Sequence, residues 1–213
     1  MNSKFNDLQY WNKYYDDILK SSINSEPSPF ARYLVEAGMF QNRTSVFELG
    51  CGNGRDSLYF TKQGMIVVAV DQCENTTLYL NKFDNLTSFN QDFTNLDDLD
   101  PKTEIIYSRF TFHSIDVSGE DRTLSWVYNN LKKHGLFCIE ARTIKDPLCG
   151  KGIDKGNNIW FHNDHHRRFI NADIFKMKLE KAGFSIIQFE ENRGFAKHKD
   201  EDPTVLRAIL KKV

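Results

Sequence analysis

Between Val46 and Asp56 the chain reads Val-Phe-Glu-Leu-Gly-Cys-Gly-Asn-Gly-Arg-Asp, an apolar strand pattern that runs into three glycines and then a helix. Residues without a side chain at Gly50, Gly52 and Gly54 let a ligand approach the backbone closely. A nucleotide-like cofactor is the ligand such a strand-loop-helix suits. The spacing is G-x-G-x-G, with Arg55 where a dinucleotide fingerprint has its third glycine, so a pyrophosphate-binding reading fails at that position. Two acids fit an adenosine instead. Glu48 stands just before the loop, and Asp71 ends the next apolar run, where a carboxylate can accept from ribose hydroxyls.

A second set of reactive side chains lies later. His113 follows the fourth strand pattern, and an unperturbed pKa near 6.5 suits proton removal; a histidine bonded to loop backbone is the other reading. Arg142 ends the fifth strand pattern, where open α/β sheets place ligands, with Asp146 close behind; a substrate contact and an ion pair that pins the following loop are both open. The run Trp160-Phe-His162-Asn-Asp-His165-His166-Arg167-Arg168-Phe169 could clamp an anion, because guanidinium forks match phosphate or carboxylate oxygens in pairs. A solvated charge run is the alternative, and a metal on His162, His165 and His166 is a third, although their spacing suits no structural zinc pattern.

The elements that must hold these residues alternate from residue 44 onward. Strands are expected at 45–49, 66–71, 86–91, 105–109 and 136–141, with helices over 54–63, 73–83 and 119–133, the last closed by Gly135. Such alternation builds a parallel, doubly wound sheet. A helix over 171–182, ended by Gly183, then leads to strands at 184–189 and 204–210, joined by a polar loop too short for a crossover and so forming an antiparallel hairpin at the sheet edge. Two amphipathic helices precede the sheet and cap one end, one over 5–20 with Phe5, Leu8, Trp11, Tyr15 and Ile18 on one face, the other over 28–38. Residues 143–170 read as a long irregular loop, the candidate substrate lid. Trp126 and Tyr128 belong to core.

With 213 residues the chain suits one domain, residues 1–213 with a helical cap over 1–40. A net charge of −1 with scattered Lys and Arg argues against nucleic acid as partner. Cys51, Cys73, Cys138 and Cys149 form no C-x-x-C pair and read as reduced structural thiols. No signal segment and no run of roughly 20 apolar residues is present, so a cytoplasmic protein without a membrane partner is expected. Oligomeric state leaves no signature.

The strand set, the terminal hairpin and the opening E-L-G-C-G-N-G together resemble a class I S-adenosylmethionine (SAM) dependent methyltransferase over roughly residues 40–212. That resemblance implies an α/β, Rossmann-like, seven-stranded mostly parallel sheet with an antiparallel last strand and helices on both faces. It implies SAM as cofactor and S-adenosylhomocysteine as product, with the glycine loop against the methionine part and Asp71 on the ribose. Gln72 would lie beside the adenine, Asp92 would accept from its exocyclic amine and Phe93 would lie on the ring, while Ser108 and Arg109 end the fourth strand beside the sulfonium. Gly-Asn-Gly-Arg55-Asp-Ser57-Leu-Tyr59, Arg142-Thr-x-x-Asp146 and His166-Arg-Arg-Phe169 are more similar to small-molecule methyltransferases of the tellurite-resistance and thiopurine type, and Tyr10-Trp11-x-x-x-Tyr15 resembles a first helix whose aromatics, Trp11 and Tyr15, close over the cofactor.

Ser108-Arg-Phe-Thr111 departs from the motif of enzymes that methylate base amines, and no acidic cluster resembles a catechol-type Mg²⁺ site, so a metal-independent enzyme on a small molecule is expected. Its acceptor is expected to be polar or anionic, first a hydroxyl of a sugar, sugar phosphate or surface-polysaccharide precursor, with His113 as base. Tellurite or thiol detoxification is the alternative. A non-enzymatic SAM-binding regulatory subunit is another, since fold does not fix function; an NAD-dependent oxidoreductase is disfavoured by the missing third glycine and the antiparallel end of the sheet.

Overall fold

The computed structural model describes residues 7–21, 26–198 and 200–213. Phe5 lies outside them. Five parallel strands, β1 Ser45–Leu49, β2 Ile66–Asp71, β3 Leu86–Asn90, β4 Thr103–Arg109 and β5 Leu131–Arg142, join β9 Phe184–Asn192 and β10 Val205–Lys212 in one seven-stranded sheet of order β3-β2-β1-β4-β5-β10-β9. β10 runs antiparallel to both of its neighbours, as the expected terminal hairpin requires. The strand order reverses between β1 and β4, and an open α/β sheet presents its ligand crevice at the carboxyl ends of such a pair.

Helices cover both faces. Alternation along β1 sends Val46 to one side, into a cluster with Phe30 and Leu34 of α2 Pro29–Glu36, Phe60 of α3 Arg55–Lys62 and Leu80 of α4 Glu74–Leu80. Phe47 and Leu49 go to the other, against Trp126 and Val127 of α5 Val117–Asn130 and Phe175 and Leu179 of α6 Ala172–Lys181. Trp126 is core, its indole N–H donating to the Leu96 carbonyl at 2.9 Å. Each such fully buried side chain contributes about 1.5–3 kcal/mol. The helix starts follow the local sequence, with Ser28, Asp116 and Asn171 as N-caps accepting from Ala31, Gly119 and Ile174.

Two expectations are corrected. Helix α5 stops at Asn130, not at Gly135, because Leu131 already pairs with Thr103 and is buried in the sheet. The Tyr128 carbonyl in its last turn accepts from the Lys212 ammonium, which also donates to Leu131 O at 2.8 Å, so a residue 84 positions along the chain from Tyr128 caps the helix. Residues 143–170 are also not irregular: β6 Ile153–Asp154, β7 Ile159–His162 and β8 His165–Arg168 form a separate three-stranded antiparallel sheet. Asn163 and Asp164 turn the chain between β7 and β8. Both have positive φ, the backbone that a two-residue primed turn demands and that Asn and Asp tolerate.

Arg168 fastens this small sheet to the main body. Its guanidinium donates to Ile115 O at 2.8 Å and Phe112 O at 3.2 Å and pairs with the buried Glu120. Removing one partner of a buried pair leaves the other charged and poorly solvated, although Lys178 at 2.7 Å retains part of the balance for Glu120. Arg168→Ala should therefore lower unfolding stability by about 2–4 kcal/mol in urea denaturation; a loss below about 0.5 kcal/mol would contradict the assignment of Arg168 to structure.

Candidate active site

The turn after β1 is shaped by what its residues lack. Gly50 and Gly52 both have left-handed backbone, and a Cβ on the first would collide with Thr111 and on the second with the Tyr15 phenol. Gly50 N and Cys51 N donate to Val70 O at 2.8 and 3.0 Å, tying the loop to β2. Asp71 completes the tie: one carboxylate oxygen accepts from Gly52 N at 2.8 Å and the other from Cys73 N at 2.9 Å. Burial raises the Asp71 carboxyl above its ordinary value against the pull of these N–H groups.

Behind the loop lies a second acidic pair. Ser57 donates to Glu48, whose carboxyl is pushed well up, first by burial and then by the neighbouring Asp56. Asp56 accepts from Ser28 N at 2.6 Å and the Tyr107 hydroxyl at 2.8 Å, and Arg55 stands 4.0 Å from it.

Helix α1 Leu8–Ser21 roofs this loop. Trp11 and Tyr15 stack at 6.0 Å between ring centroids, Asp16 accepts from Asn75 at 2.7 Å, and at the other end Tyr10 stacks on His165 at 4.1 Å. Asp7 accepts from His166 N at 2.8 Å and lies 3.0 Å from His166 Nδ1.

Under this roof is a cavity of about 860 Å³, large enough for a nucleoside cofactor and a small co-substrate. Among the expected site residues, Trp11, Tyr15, Glu48, Gly50, Arg55, Asp71, Gln72, Phe93, Arg109, His113, Arg142 and Arg167 line it. Gly52 and Gly54 shape the loop without lining the cavity, and Ser108 is fully buried, its hydroxyl bonded to that of Thr111. Asp92 also lies off the lining, with one oxygen accepting from Thr94 N and the Thr94 hydroxyl at 2.9 and 2.8 Å.

The 160–169 run does not act as one clamp. Strand alternation splits it, placing His165 and Arg167 on one face of β8 and His166 and Arg168 on the other. His165 is buried against Tyr10 and Trp11, with Nδ1 at 2.8 Å from Asn163 O. His166 is held by Asp7 and Arg168 by Glu120, and His162 is likewise off the cavity wall. Of the histidines and arginines in this run, Arg167 alone reaches the cavity. Among the described residues no group of three or more His, Cys, Asp or Glu side chains is placed to hold a metal, and no helix is long and apolar enough to cross a membrane.

The wall opposite the acids is basic. Arg109 donates to the buried Glu140 at 2.8 Å, a carboxylate shared with Arg207 at 2.7 Å. Arg142 pairs with Asp146 at 3.1 Å and Glu201 at 2.8 Å, so it is both ion-paired and cavity-lining. Arg167 has no carboxylate partner among the described residues; burial and the neighbouring Arg142 cation lower its pKa. His113 sits among them with its buried Nδ1 unpartnered, and its pKa is driven well below the ordinary value, first by burial and then by Arg142, Arg167 and Arg109. Sequence reasoning missed Tyr10, Phe110, Thr111, Asn163, His198 and Glu201, all lining. Phe110 stands out only in the structure, as a non-glycine residue at positive φ with its ring under the Arg109 guanidinium at 4.2 Å. The cavity thus has an acidic half at the glycine loop and a basic half beyond β4.

Known structures share this architecture. A SAM-dependent methyltransferase from Clostridium acetobutylicum aligns with a TM-score of 0.70 at 16% identity, covering 97% of this chain and 99% of that one. A TehB-like SAM-dependent methyltransferase from Corynebacterium glutamicum aligns at 0.67 and 17% identity, covering 97% and 98%. The 1,6-didemethyltoxoflavin-N1-methyltransferase of Burkholderia thailandensis, solved with 1,6-didemethyltoxoflavin and S-adenosylhomocysteine bound, aligns at 0.66 and 14% identity, covering 100% and 97%. At such identities the likeness speaks for the fold. No curated protein matches the sequence significantly. Residues 21–189, well over half of the chain, match the methyltransferase domain family, and the chain therefore belongs to that family as a SAM-dependent enzyme.

Proposed function

We propose that this methyltransferase acts on a small anionic acceptor, with a hydroxyl of a sugar phosphate or a related surface-polysaccharide precursor as the preferred class. The observation that carries this reading is Arg167, a guanidinium on the cavity wall that feels the charges of Arg142, Glu201 and Asp146 but has no carboxylate within ion-pair distance among the described residues. A partly buried cation left unpaired is costly, and a bound phosphate or carboxylate removes that cost. The four unbridged cysteines favour a reducing compartment, the cytoplasm.

The acidic half fits SAM. Gly50 and Gly52 let Thr111 and the Tyr15 phenol pack directly on the loop beside the cavity, and Asp71 keeps acceptor capacity beyond its two N–H bonds for ribose hydroxyls. Gln72 and Phe93 line the adenine side in this reading, Trp11 and Tyr15 close over it, and Asp56 complements the methionine ammonium, with Glu48 beside it as a hydrogen-bonding group. Bound SAM supplies an electrophilic methyl group on a sulfonium, displaced in line by an acceptor atom, so positioning supplies much of the acceleration. The β6–β8 sheet within 143–170 covers the acceptor side.

His113 is the base of this reading. Its imidazole is neutral and can take a hydroxyl proton, but three arginines oppose the imidazolium. The acceptor's own negative charge offsets that opposition, so recognition of the anion and proton removal support each other. The same arginines favour a second reading, a thiolate or tellurite-like oxyanion that needs no base, as in enzymes of the tellurite-resistance and thiopurine type.

Two outcomes are expected. On a panel of phosphorylated and neutral hydroxyl acceptors, Arg167→Ala should lose about 10–100-fold in kcat/KM, mainly through KM, with S-adenosylhomocysteine affinity unchanged; equal turnover of neutral acceptors by wild type and variant, at the rate wild type shows on phosphorylated ones, would overturn the reading. Because the native His113 pKa lies below its unfolded value, the unfolded chain binds more protons as the pH drops below about 6.5, and stability falls with it until the native group also titrates. His113→Gln should flatten that loss in denaturation midpoints measured between about pH 8 and 5, and an unchanged slope would contradict a buried neutral imidazole.

A further inference from the structure

The two carboxylates on Arg142 differ in kind. Asp146 is fixed: its side chain is fully buried, it sits four residues along the same segment, and it also accepts from Leu148 N at 2.8 Å. Glu201 lies closer, 2.8 Å from Arg142 Nη2 against 3.1 Å for Asp146, yet its side chain is 63% exposed. It comes from the β9–β10 connection, at a small turn closed by paired backbone bonds between His198 and Glu201 at 2.9 and 3.0 Å. That turn is held in place by other contacts, Gly194 N to Asp202 at 2.7 Å and Arg207 to Phe195 O at 2.7 Å, so the connection does not depend on the Glu201 carboxylate. Glu201 and His198 both line the cavity, on the same basic wall as Arg142, Arg167 and His113. The Glu201 carboxyl is held below its ordinary value, first by its Arg142 hydrogen bond, with Arg167 and His198 contributing.

We propose that Glu201 is an internal stand-in for the acceptor's anionic group: its carboxylate occupies Arg142 in the free enzyme and swings out when an anionic acceptor bridges Arg142 and Arg167. This rests on the anionic-acceptor reading above and adds a specificity device to it. The Glu201 end of the pair is exposed and its side chain has many rotamers, so its carboxylate regains water when it leaves, and a ligand anion that engages two guanidiniums outcompetes it. A neutral acceptor offers nothing in exchange for the displaced carboxylate, and Glu201 then keeps the wall closed. Discrimination comes from the closed wall, which excludes a neutral acceptor, and from the paired guanidiniums, which let an anion displace the carboxylate.

Inorganic phosphate is the probe, titrated into full-length enzyme saturated with S-adenosylhomocysteine and followed by calorimetry, for wild type, Glu201→Gln and Arg167→Gln. Glu201→Gln, which keeps the side-chain length and removes the competing charge, should bind phosphate about 5–10-fold more tightly than wild type, and Arg167→Gln at least about 10-fold more weakly. Prior titration of each variant with S-adenosylhomocysteine reports folding and the cofactor half separately. Failure of wild type there sinks the cofactor reading of the site. Normal S-adenosylhomocysteine binding with phosphate affinity unchanged or reduced in Glu201→Gln, or with no phosphate bound by either protein, overturns the stand-in.

Discussion

One buried carboxylate sets the geometry of this enzyme. Asp71 ends β2 and reaches across to the turn after β1 to accept from Gly52 N, while its other oxygen accepts from Cys73 N at the start of α4. A carboxylate that has lost most of its water must find donors, and here the donors are the backbone of the turn that would meet the cofactor. The left-handed glycines allow that turn, Tyr15 roofs it, and the strands on either side supply the walls. The cavity opens at this point because the strand order reverses between β1 and β4.

Much of this was legible in the chain. The strand before the glycines has matched bounds in sequence and structure, Ser45–Leu49, as does Ile66–Asp71, because buried parallel strands write themselves as short apolar runs bounded by turn residues. The terminal hairpin was legible for a different reason, a connection too short for a crossover.

What the sequence hides are the choices made by distant partners. The end of α5 depends on Lys212, which no local pattern around Gly135 announces. The fate of the 160–169 run depends on strand alternation: the Asn163-Asp164 turn was a readable hairpin signal, and once it is read, neighbouring residues must face opposite ways. Arg168 and Arg167 have the same chemistry and adjacent positions, yet one is spent on Glu120 and the other faces the cavity. Glu201 lies in a polar connection with no motif, and only the fold brings it to Arg142.

The central claim is that the Asp71 carboxylate, as an acceptor, builds the cofactor half of the site. Calorimetric titration of S-adenosylhomocysteine into wild type and Asp71→Asn tests it most directly, since the amide keeps the shape and loses half of the acceptor capacity. The account predicts that the variant binds about 10–100-fold more weakly, as expected for losing charge-assisted hydrogen bonds. Equal affinity in the two proteins would contradict it.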